Sequence, residues 1–378
     1  MTLNQPATTA PQHRNACPAC GGSRHPSPPV PWPGFAHADL RPFTAPPLIF
    51  VHCPTCGLVG RAPQSSDIAP EAIYTSANYA ERKPPLAYVR PPETPDVMVP
   101  TPLHQVNILR REEVSFDSVL DIGCFDGKFL EFVRQTVPRA RLVGYDVNPH
   151  CRGFMTDGVA FECSGLDQID GSFSLITMSH SVQYERDITT LLGHIDRLLD
   201  ADGAVFIQVP DFSLRPTTLL FSDLYHQLTL NSLIDVLGLF GFDAVGISGT
   251  AFRRDALVLA RRGAKPRRPR HHDGSTLNAA LGDLHSMAAR VARLKDGRHW
   301  SVLGTSIESA FAIHLLGDDV VGIIDEAESS QGTDFQGRIV RHPRDLGPDD
   351  HVILPLGPHA GTVITRFRET YASEFVLI

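Results

Sequence analysis

The sequence predicts an α/β protein of three units: a small cysteine-rich module, a central α/β domain and a smaller Rossmann-like α/β domain. Three observations support this fold class. Two CxxC pairs precede residue 57, apolar strands alternate with helical patterns over 101–262, and the alternation returns over 298–378. Such alternation predicts βαβ units with a parallel sheet. A chain of 378 residues is also long enough for two or three domains.

Composition narrows the functional classes. The net charge of −8 disfavours a protein whose main task is coating nucleic acid, because phosphate contacts draw on Lys and Arg. No apolar stretch approaches the roughly 18 residues of a membrane span, and the first residues lack a signal-peptide core. We therefore expect a cytoplasmic protein without a membrane partner. The sequence is silent on oligomeric state.

The four N-terminal cysteines form two tight pairs, Cys17–Cys20 and Cys53–Cys56. In a cytosolic chain this spacing indicates metal binding before disulfides. Glycine follows each pair and lets backbone amides approach the sulfurs. Four thiolates complete a tetrahedral Zn²⁺ site and leave no open position, so we expect a structural zinc. Unligated cysteines or a redox pair are the alternative.

Polar and proline-rich stretches mark the expected boundaries. We predict a disordered tail at 1–14, a zinc-ribbon module at 15–62 and an extended Pro-rich connector at 63–100. A basic linker and helix at 263–297 follow the central domain. The basic run at 261–272 is interpreted as linker, with a phosphate-binding strip as the alternative.

The two α/β domains are predicted from their apolar runs. In the central domain we expect strands at 118–123, 141–147, 172–179 and 203–210, helices at 125–137 and 187–203, and a closing hairpin within 244–262. In the C-terminal domain the expected strands are HWSVLG, DVVGIIDE, HVILPLG and EFVLI, with helices at IESAFAIHLLG and HAGTVITRFRETY.

The strongest functional signal is VLDIGCFDGKFL at 119–130. A buried strand ends in Asp121 and is followed by a G-x-x-x-G turn, which allows close backbone approach to a ligand at a helix N-terminus. Asp146 ends the next strand, at the distance from which acidic residues reach ribose hydroxyls. The dehydrogenase pattern G-x-G-x-x-G is absent. A Rossmann fold without cofactor is the alternative.

These residues resemble the glycine-rich motif of class I S-adenosylmethionine-dependent methyltransferases, and the closing hairpin fits their seven-stranded sheet. The resemblance implies that S-adenosyl-L-methionine is the cofactor. It assigns Asp121 to the methionine end, Asn148 to the ribose side and the loop after the third strand to the adenine. The implied cofactor-binding residues are Asp121, Gly123, Cys124, Phe125, Asp126, Gly127, Asp146, Asn148, Ser164, Leu166 and Ser179.

The order of zinc ribbon, methyltransferase core and small Rossmann-like unit, from about 15 to 378, resembles the sugar C-methyltransferases. Members of that family methylate a carbon of a nucleotide-linked keto-deoxysugar in natural-product or surface-glycan biosynthesis. The resemblance implies a small-molecule substrate, specifically a nucleotide sugar. Two other enzyme classes stay open: an O-methyltransferase of another small molecule and an rRNA methyltransferase with a zinc module.

Two motifs depart from that family. Its His-x-x-Glu-His run appears here as 180–184, HSVQY, and its Tyr-His-Glu-His run appears as 225–228, YHQL. The last histidine of the second run, the family's proposed base, is therefore Leu228. We expect His226 to replace it as base, with Tyr225 and His180 as further catalytic candidates.

Each of these catalytic assignments has a plainer alternative. A histidine in a loop can simply form ordinary hydrogen bonds. Tyr79 is predicted to bind substrate, although it can equally dock the connector on the core, as can Tyr74. With the family's base missing, a non-catalytic relative also stays open.

Overall fold

The computed structural model describes residues 16–62, 71–81, 86–355, 360–371 and 373–378. The predicted tail at 1–14 lies outside these residues, as do two short parts of the connector. Within the described ranges no helix is long and apolar enough to cross a membrane.

The N-terminal module is built from very short strands. They are β1 (His25–Pro26), β2 (Gly34–Phe35), β3 (Pro42–Thr44), β4 (Phe50–His52) and β5 (Val59–Arg61). β4 pairs antiparallel with β1 and β5, and β2 pairs with β3. Ladders this short supply few hydrogen bonds, so the module needs further contacts to hold it together. The Trp32 ring, for example, lies edge-on to Phe311 of the C-terminal domain, 5.0 Å between centroids.

The connector is not simply extended, which corrects our expectation for 63–100. Its described part contains α1 (Glu71–Tyr74), α2 (Ala77–Glu81), β6 (Tyr88–Val89) and β7 (Val99–Pro100). The reason is aromatic packing. Tyr74 and Tyr79 meet edge to face at 4.8 Å between ring centroids, and Ala80 is buried. Helical turns place these side chains on one face toward the core, which an extended chain would not do.

The central domain contains twelve elements. These are α3 (Thr101–Arg111), β8 (Ser118–Ile122), α4 (Lys128–Thr136), β9 (Arg141–Tyr145), β10 (Val159–Glu162), β11 (Phe173–Ser179), α5 (Ile188–Leu198), β12 (Leu199–Pro210), β13 (His226–Gln227), α6 (Leu230–Leu239), β14 (Phe242–Gly246) and β15 (Asp255–Arg262). Seven strands form one sheet in the order β10-β9-β8-β11-β12-β15-β14. Only β15 runs antiparallel to its neighbours. The predicted α/β class with a seven-stranded sheet is confirmed.

One predicted helix is too long. The helix expected over 187–203 ends at Leu198, and β12 begins at the next residue. Leu199 already pairs with Phe173 of β11, so the ladder takes over where the helix stops. Gly203 lies inside β12. A Cβ at this position would lie 2.9 Å from the carbonyl oxygen of Phe173, so the close approach of the two strands favours glycine here.

β13 joins the central domain to the N-terminal module. His226 pairs with Gly60 and Gln227 with Val59, both in β5. This edge strand completes a four-stranded sheet in the order β1-β4-β5-β13. The N-terminal module therefore shares its sheet with the central domain.

The C-terminal domain repeats the α/β pattern. Its elements are α7 (Ser275–Ala292), β16 (Trp300–Leu303), α8 (Ile307–Leu316), β17 (Val320–Ile324), β18 (Asp334–Phe335), β19 (Arg338–Arg341), β20 (His351–Leu354), α9 (Ala360–Thr370) and β21 (Glu374–Leu377). The sheet order is β18-β19-β17-β16-β20-β21, with β18 antiparallel. A bidentate pair between Arg215 and Glu308, at 2.8 and 2.7 Å, connects it to the central domain.

The basic run before α7 is docked on the protein. The backbone amide of His272 donates to the carbonyl oxygen of Pro54, and its ring lies 2.8 Å from the Asp235 carboxylate. Arg270 pairs with the same carboxylate at 3.1 Å. These contacts tie the run to the second cysteine knuckle and to α6.

Candidate active site

The four predicted metal ligands meet in one cluster. The sulfurs of Cys17, Cys20, Cys53 and Cys56 all lie within 4.8 Å of one another. Two short separations cross between the pairs, 3.6 Å for Cys17–Cys56 and 3.4 Å for Cys20–Cys53. The amide of Gly22 donates to the Cys20 sulfur at 3.4 Å, as the glycine spacing predicts. This closed four-sulfur arrangement can hold a metal ion.

The glycine-rich turn between β8 and α4 has the tight geometry that the motif predicts. Gly123 and Gly127 have φ values of 81° and 66°, in the left-handed region that side chains disfavour. The carbonyl oxygen of Tyr145 accepts hydrogen bonds from the amides of Gly123 and Cys124. Ser181 closes over the turn, and a Cβ on Gly123 would lie 2.5 Å from the Ser181 Cβ.

A buried carboxylate, Asp121, and a half-buried one, Asp146, flank this turn. Burial raises the pKa of Asp121 to about 7, and the nearby charges of Asp146 and Asp126 raise it further. The hydrogen bond that Thr177 donates to Asp121 at 2.7 Å acts in the opposite direction and lowers the pKa. Burial also raises the pKa of Asp146, against hydrogen bonds from the amides of Asn148 and Phe125. A cationic ligand that also carries hydroxyls would relieve the repulsion and use the remaining lone pairs. The amino group, sulfonium and ribose of S-adenosylmethionine meet that requirement.

Two predicted cofactor ligands point elsewhere. The side chain of Cys124 is buried in the core, in contact distance of Gly144. Asn148 is fully buried, and its amide group donates to the carbonyl oxygens of Tyr74 and Ser76 at 2.8 and 3.0 Å. The Asn148 side chain therefore docks the connector, which corrects its assignment to the ribose. Only the backbone of Cys124 can face a ligand.

The remaining predicted cofactor residues lie at the carboxyl edge of the sheet. Asp126 follows Phe125 in the turn and accepts from the amide of Lys128 at 3.2 Å. After β10, Ser164 is exposed and Leu166 is buried. The hydroxyl of Ser179 accepts a hydrogen bond from Gln105 at 2.8 Å at the end of β11.

A row of contacting aromatic rings begins at the glycine-rich turn and consists of Phe125, Tyr79, Tyr74 and Tyr184; we call it the aromatic wall. The Tyr79 ring lies 5.4 Å from Phe125, and Tyr74 contacts both Tyr79 and Tyr184 at 4.8 and 4.7 Å between ring centroids. Tyr79 is also close enough to Asp146 for that charge to add to the burial that raises the pKa of the phenol. The aromatic wall therefore extends from Phe125 in the glycine-rich turn to Tyr184.

At the end of the aromatic wall formed by Tyr74 and Tyr184, a hydrogen-bonded cluster includes Asp223 and His37. Asp223 is fully buried, and its Oδ2 accepts from the Tyr74 hydroxyl at 2.5 Å and from the His37 amide at 2.8 Å. Its Oδ1 is buried without a partner among the described residues. The hydroxyl of Tyr184 lies 2.8 Å from His37 Nδ1. Sequence reasoning missed His37, Tyr184 and Asp223, because 186 positions separate His37 from Asp223 and no motif connects them.

His180 directly follows β11. Its φ of 54° is unusual for a non-glycine residue, and its Nε2 is 3.3 Å from the Asp255 carboxylate. Gln208 donates to the same carboxylate at 2.5 Å. Burial acts to raise the pKa of Asp255, but the bonds from His180 and Gln208 and nearby positive charges lower it.

Three arginines line an open cavity of about 480 Å³ beside Asp255. Arg215 is paired with Glu308 through two hydrogen bonds. Arg253 and Arg254 have no side-chain ion pair within the described part of the chain. Burial and the charge of Arg215 lower the pKa of Arg254, and the charges of Glu308 and Asp255 oppose that shift.

The predicted base, His226, does not line this cavity. His226 is 4% exposed because β13 places it in the sheet shared with the N-terminal module. Burial lowers the pKa of His226 to about 4, against a hydrogen bond to the backbone of Glu185, and Nε2 has no partner in the described ranges. The ring of Tyr225 is covered by the Arg186 guanidinium at 5.1 Å. A sealed His226 cannot reach a diffusing substrate, so its role as base is corrected here.

Comparison with known proteins agrees with the geometry of the turn. Residues 97–245 match a family model described as a methyltransferase domain. The trans-aconitate 2-methyltransferase of Escherichia coli O157:H7 is 30% identical over 112 residues, which cover 28% of this chain and 44% of that enzyme. The chain thus matches less than half the length of these curated relatives.

Similar solved structures include the plantazolicin methyltransferase BpumL in complex with S-adenosylhomocysteine. It is 16% identical and covers 43% of this chain and 82% of its own, with a TM-score of 0.37. The pyocyanin biosynthetic protein PhzM is 19% identical, with a TM-score of 0.36, and the match covers 43% and 54% of the two chains. The domain match carries the classification: the chain contains a class I S-adenosylmethionine-dependent methyltransferase domain.

Proposed function

We propose that this protein transfers a methyl group from S-adenosylmethionine to a carbon of a nucleotide-linked keto-deoxysugar. When bound, the cofactor supplies an electrophilic methyl group. The observation that carries the substrate class is the arginine cavity beside Asp255. The order of N-terminal module, methyltransferase domain and small α/β domain supports the same class by resemblance.

The arginines match the chemistry of a diphosphate. Guanidinium groups bind phosphate oxygens through paired hydrogen bonds and are the favoured residues for that purpose. Arg215 is already neutralised by Glu308, so Arg253 and Arg254 are the cations that a ligand would satisfy. A diphosphate here would leave the attached sugar beside His180 and Asp255.

We propose that the four-cysteine cluster holds zinc. Four sulfurs with no open position suit structural Zn²⁺, whose ligand geometry is tetrahedral. The metal would stabilise the module that carries His37 into the cleft.

The direct test incubates the protein with S-adenosylmethionine and thymidine-diphosphate-linked 4-keto-6-deoxyglucose. We expect a product heavier by one methylene unit, with the new methyl on carbon by NMR. A methyl on oxygen would replace the proposal with O-methylation. Binding of S-adenosylhomocysteine without any methylation of this sugar would contradict the proposed substrate.

Replacing Arg254 with Gln tests the anion site. We expect affinity for thymidine diphosphate to fall about tenfold to a hundredfold, the scale of one charged hydrogen bond of about 1.5–3 kcal/mol. Calorimetric titration at two salt concentrations measures this. Arg290→Gln, on the exposed face of α7, is the matched control. Equal losses in both variants would mean that the cavity does not hold the diphosphate.

Replacing Asp146 with Ala tests the ribose assignment. We expect affinity for S-adenosylhomocysteine to fall about tenfold to a hundredfold, since a charged hydrogen bond contributes roughly 1.5–3 kcal/mol. The variant also removes the acceptor for the amides of Phe125 and Asn148. Asp157→Ala, an exposed carboxylate, is the control for net charge. Unchanged affinity in Asp146→Ala would show that the cofactor lies elsewhere.

A further inference from the structure

We infer that His37, carried by the N-terminal module, is the general base of the reaction, and that Tyr184, Tyr74 and Asp223 position it. This inference rests on the proposed function, since only methylation of a carbon beside a ketone requires prior removal of a carbon-bound proton. It assigns to the cysteine-rich module a direct part in the chemistry.

The position of His37 suits a base. It lies in the loop between β2 and β3, and its side chain is exposed. Its ring contacts Phe221 edge-on at 4.7 Å, and Nδ1 is bonded to Tyr184. No hydrogen bond to Nε2 is found among the described residues, so this nitrogen is available to a substrate.

The protein environment favours the neutral form of the ring. Desolvation by neighbouring segments lowers the pKa of His37, and nearby His180 and Arg215 act in the same direction. The imidazole is therefore neutral at pH 7, and one of its ring nitrogens can accept a proton.

A chain of contacts leads from His37 to a buried carboxylate. The Tyr184 hydroxyl is bonded to His37, the Tyr184 ring packs against Tyr74 at 4.7 Å between centroids, and Tyr74 donates to Asp223. The amide of His37 donates to the same oxygen of Asp223. This resembles the logic of a catalytic triad, in which a buried carboxylate fixes the tautomer of a histidine and stabilises its protonated form.

Nε2 of His37 takes the proton from the carbon beside the ketone, and the electron pair of that C–H bond becomes the enolate. The enolate carbon bonds to the methyl group while the methyl–sulfur bond breaks, and that electron pair stays on sulfur. Asp223, through the two tyrosines, stabilises the imidazolium until its proton leaves to solvent through the open cleft.

The test measures exchange of the α-proton of thymidine-diphosphate-linked 4-keto-6-deoxyglucose in D₂O, with S-adenosylhomocysteine bound, alongside methyl transfer. We expect His37→Ala to lower both rates by roughly two to four orders of magnitude, the usual share of general acid–base catalysis. Zinc content and S-adenosylhomocysteine affinity should remain at wild-type levels. His299→Ala, an exposed histidine of the C-terminal domain, is the control.

The positioning residues need a separate readout. Asp223→Asn should lower kcat while leaving KM for the sugar unchanged, because the carboxylate acts on the base and not on binding. Tyr184→Phe should show the same pattern, whereas a merely structural role would disturb S-adenosylhomocysteine affinity and melting temperature as well.

The outcomes separate this inference from the proposed function. If wild type methylates the sugar and His37→Ala exchanges and methylates equally fast, the inference is overturned and the function stands. Loss of exchange in His226→Ala but not in His37→Ala would assign the base to the buried histidine instead. If wild type itself neither exchanges nor methylates this sugar, the proposed carbon methylation fails.

Discussion

The Cys17→Ser/Cys53→Ser variant should lose its zinc, unfold the N-terminal module and abolish turnover. One ligand is removed from each knuckle, and the strands of the module are only two or three residues long. Binding of structural zinc contributes roughly 10–16 kcal/mol in small zinc modules at neutral pH, so little of the fold should survive its loss. Metal analysis and limited proteolysis of the purified protein measure these effects.

This variant should separate the contribution of the N-terminal module to turnover from that of the central domain to cofactor binding. Turnover should disappear because the module carries His37 and pairs with β13. Binding of S-adenosylhomocysteine should persist, since the turn and its carboxylates belong to the central domain. Cys163→Ser, outside the cluster, should keep one zinc per chain. Equal zinc in the double variant and the control would rule out the proposed ligands.

Replacing Gly123 with Ala should reduce affinity for S-adenosylhomocysteine by about a hundredfold or more, equivalent to about 3 kcal/mol. The φ of 81° disfavours any side chain, at a cost of roughly 1–2 kcal/mol. The new Cβ would also lie 2.5 Å from the Cβ of Ser181, so the turn or the segment above it must move. Calorimetric titration and thermal melting separate the loss of binding from the loss of stability.

Two further variants make this prediction specific. Gly153→Ala is the control, because a Cβ there meets no atom within 4 Å and its φ is not in the left-handed region. Gly123→Ala/Ser181→Gly should recover part of the affinity by removing the clash. Unchanged binding in Gly123→Ala would mean that the cofactor does not depend on this turn.

The catalytic assignments show where reasoning from sequence stopped. His226 stood in the expected motif, yet β13 turns it into the sheet shared with the N-terminal module and seals it from the cleft. Asn148 followed Asp146 as the cofactor pattern suggests, but its amide group is used to hold the connector. In both cases the motif predicted the position along the chain, while neighbouring segments determined which way the side chain faces.

The sequence by itself determined the α/β class, the cysteine pairs, and the glycine turn with its acidic residues. These features are local: a CxxC knuckle, a strand period and a tight glycine turn each depend on residues a few positions apart. Only the tertiary structure decided that His37 meets Asp223, and that Arg254 lies beside Arg215 in one cavity. Such contacts form because distant segments bury their apolar faces together, and no short-range pattern encodes which segments will meet.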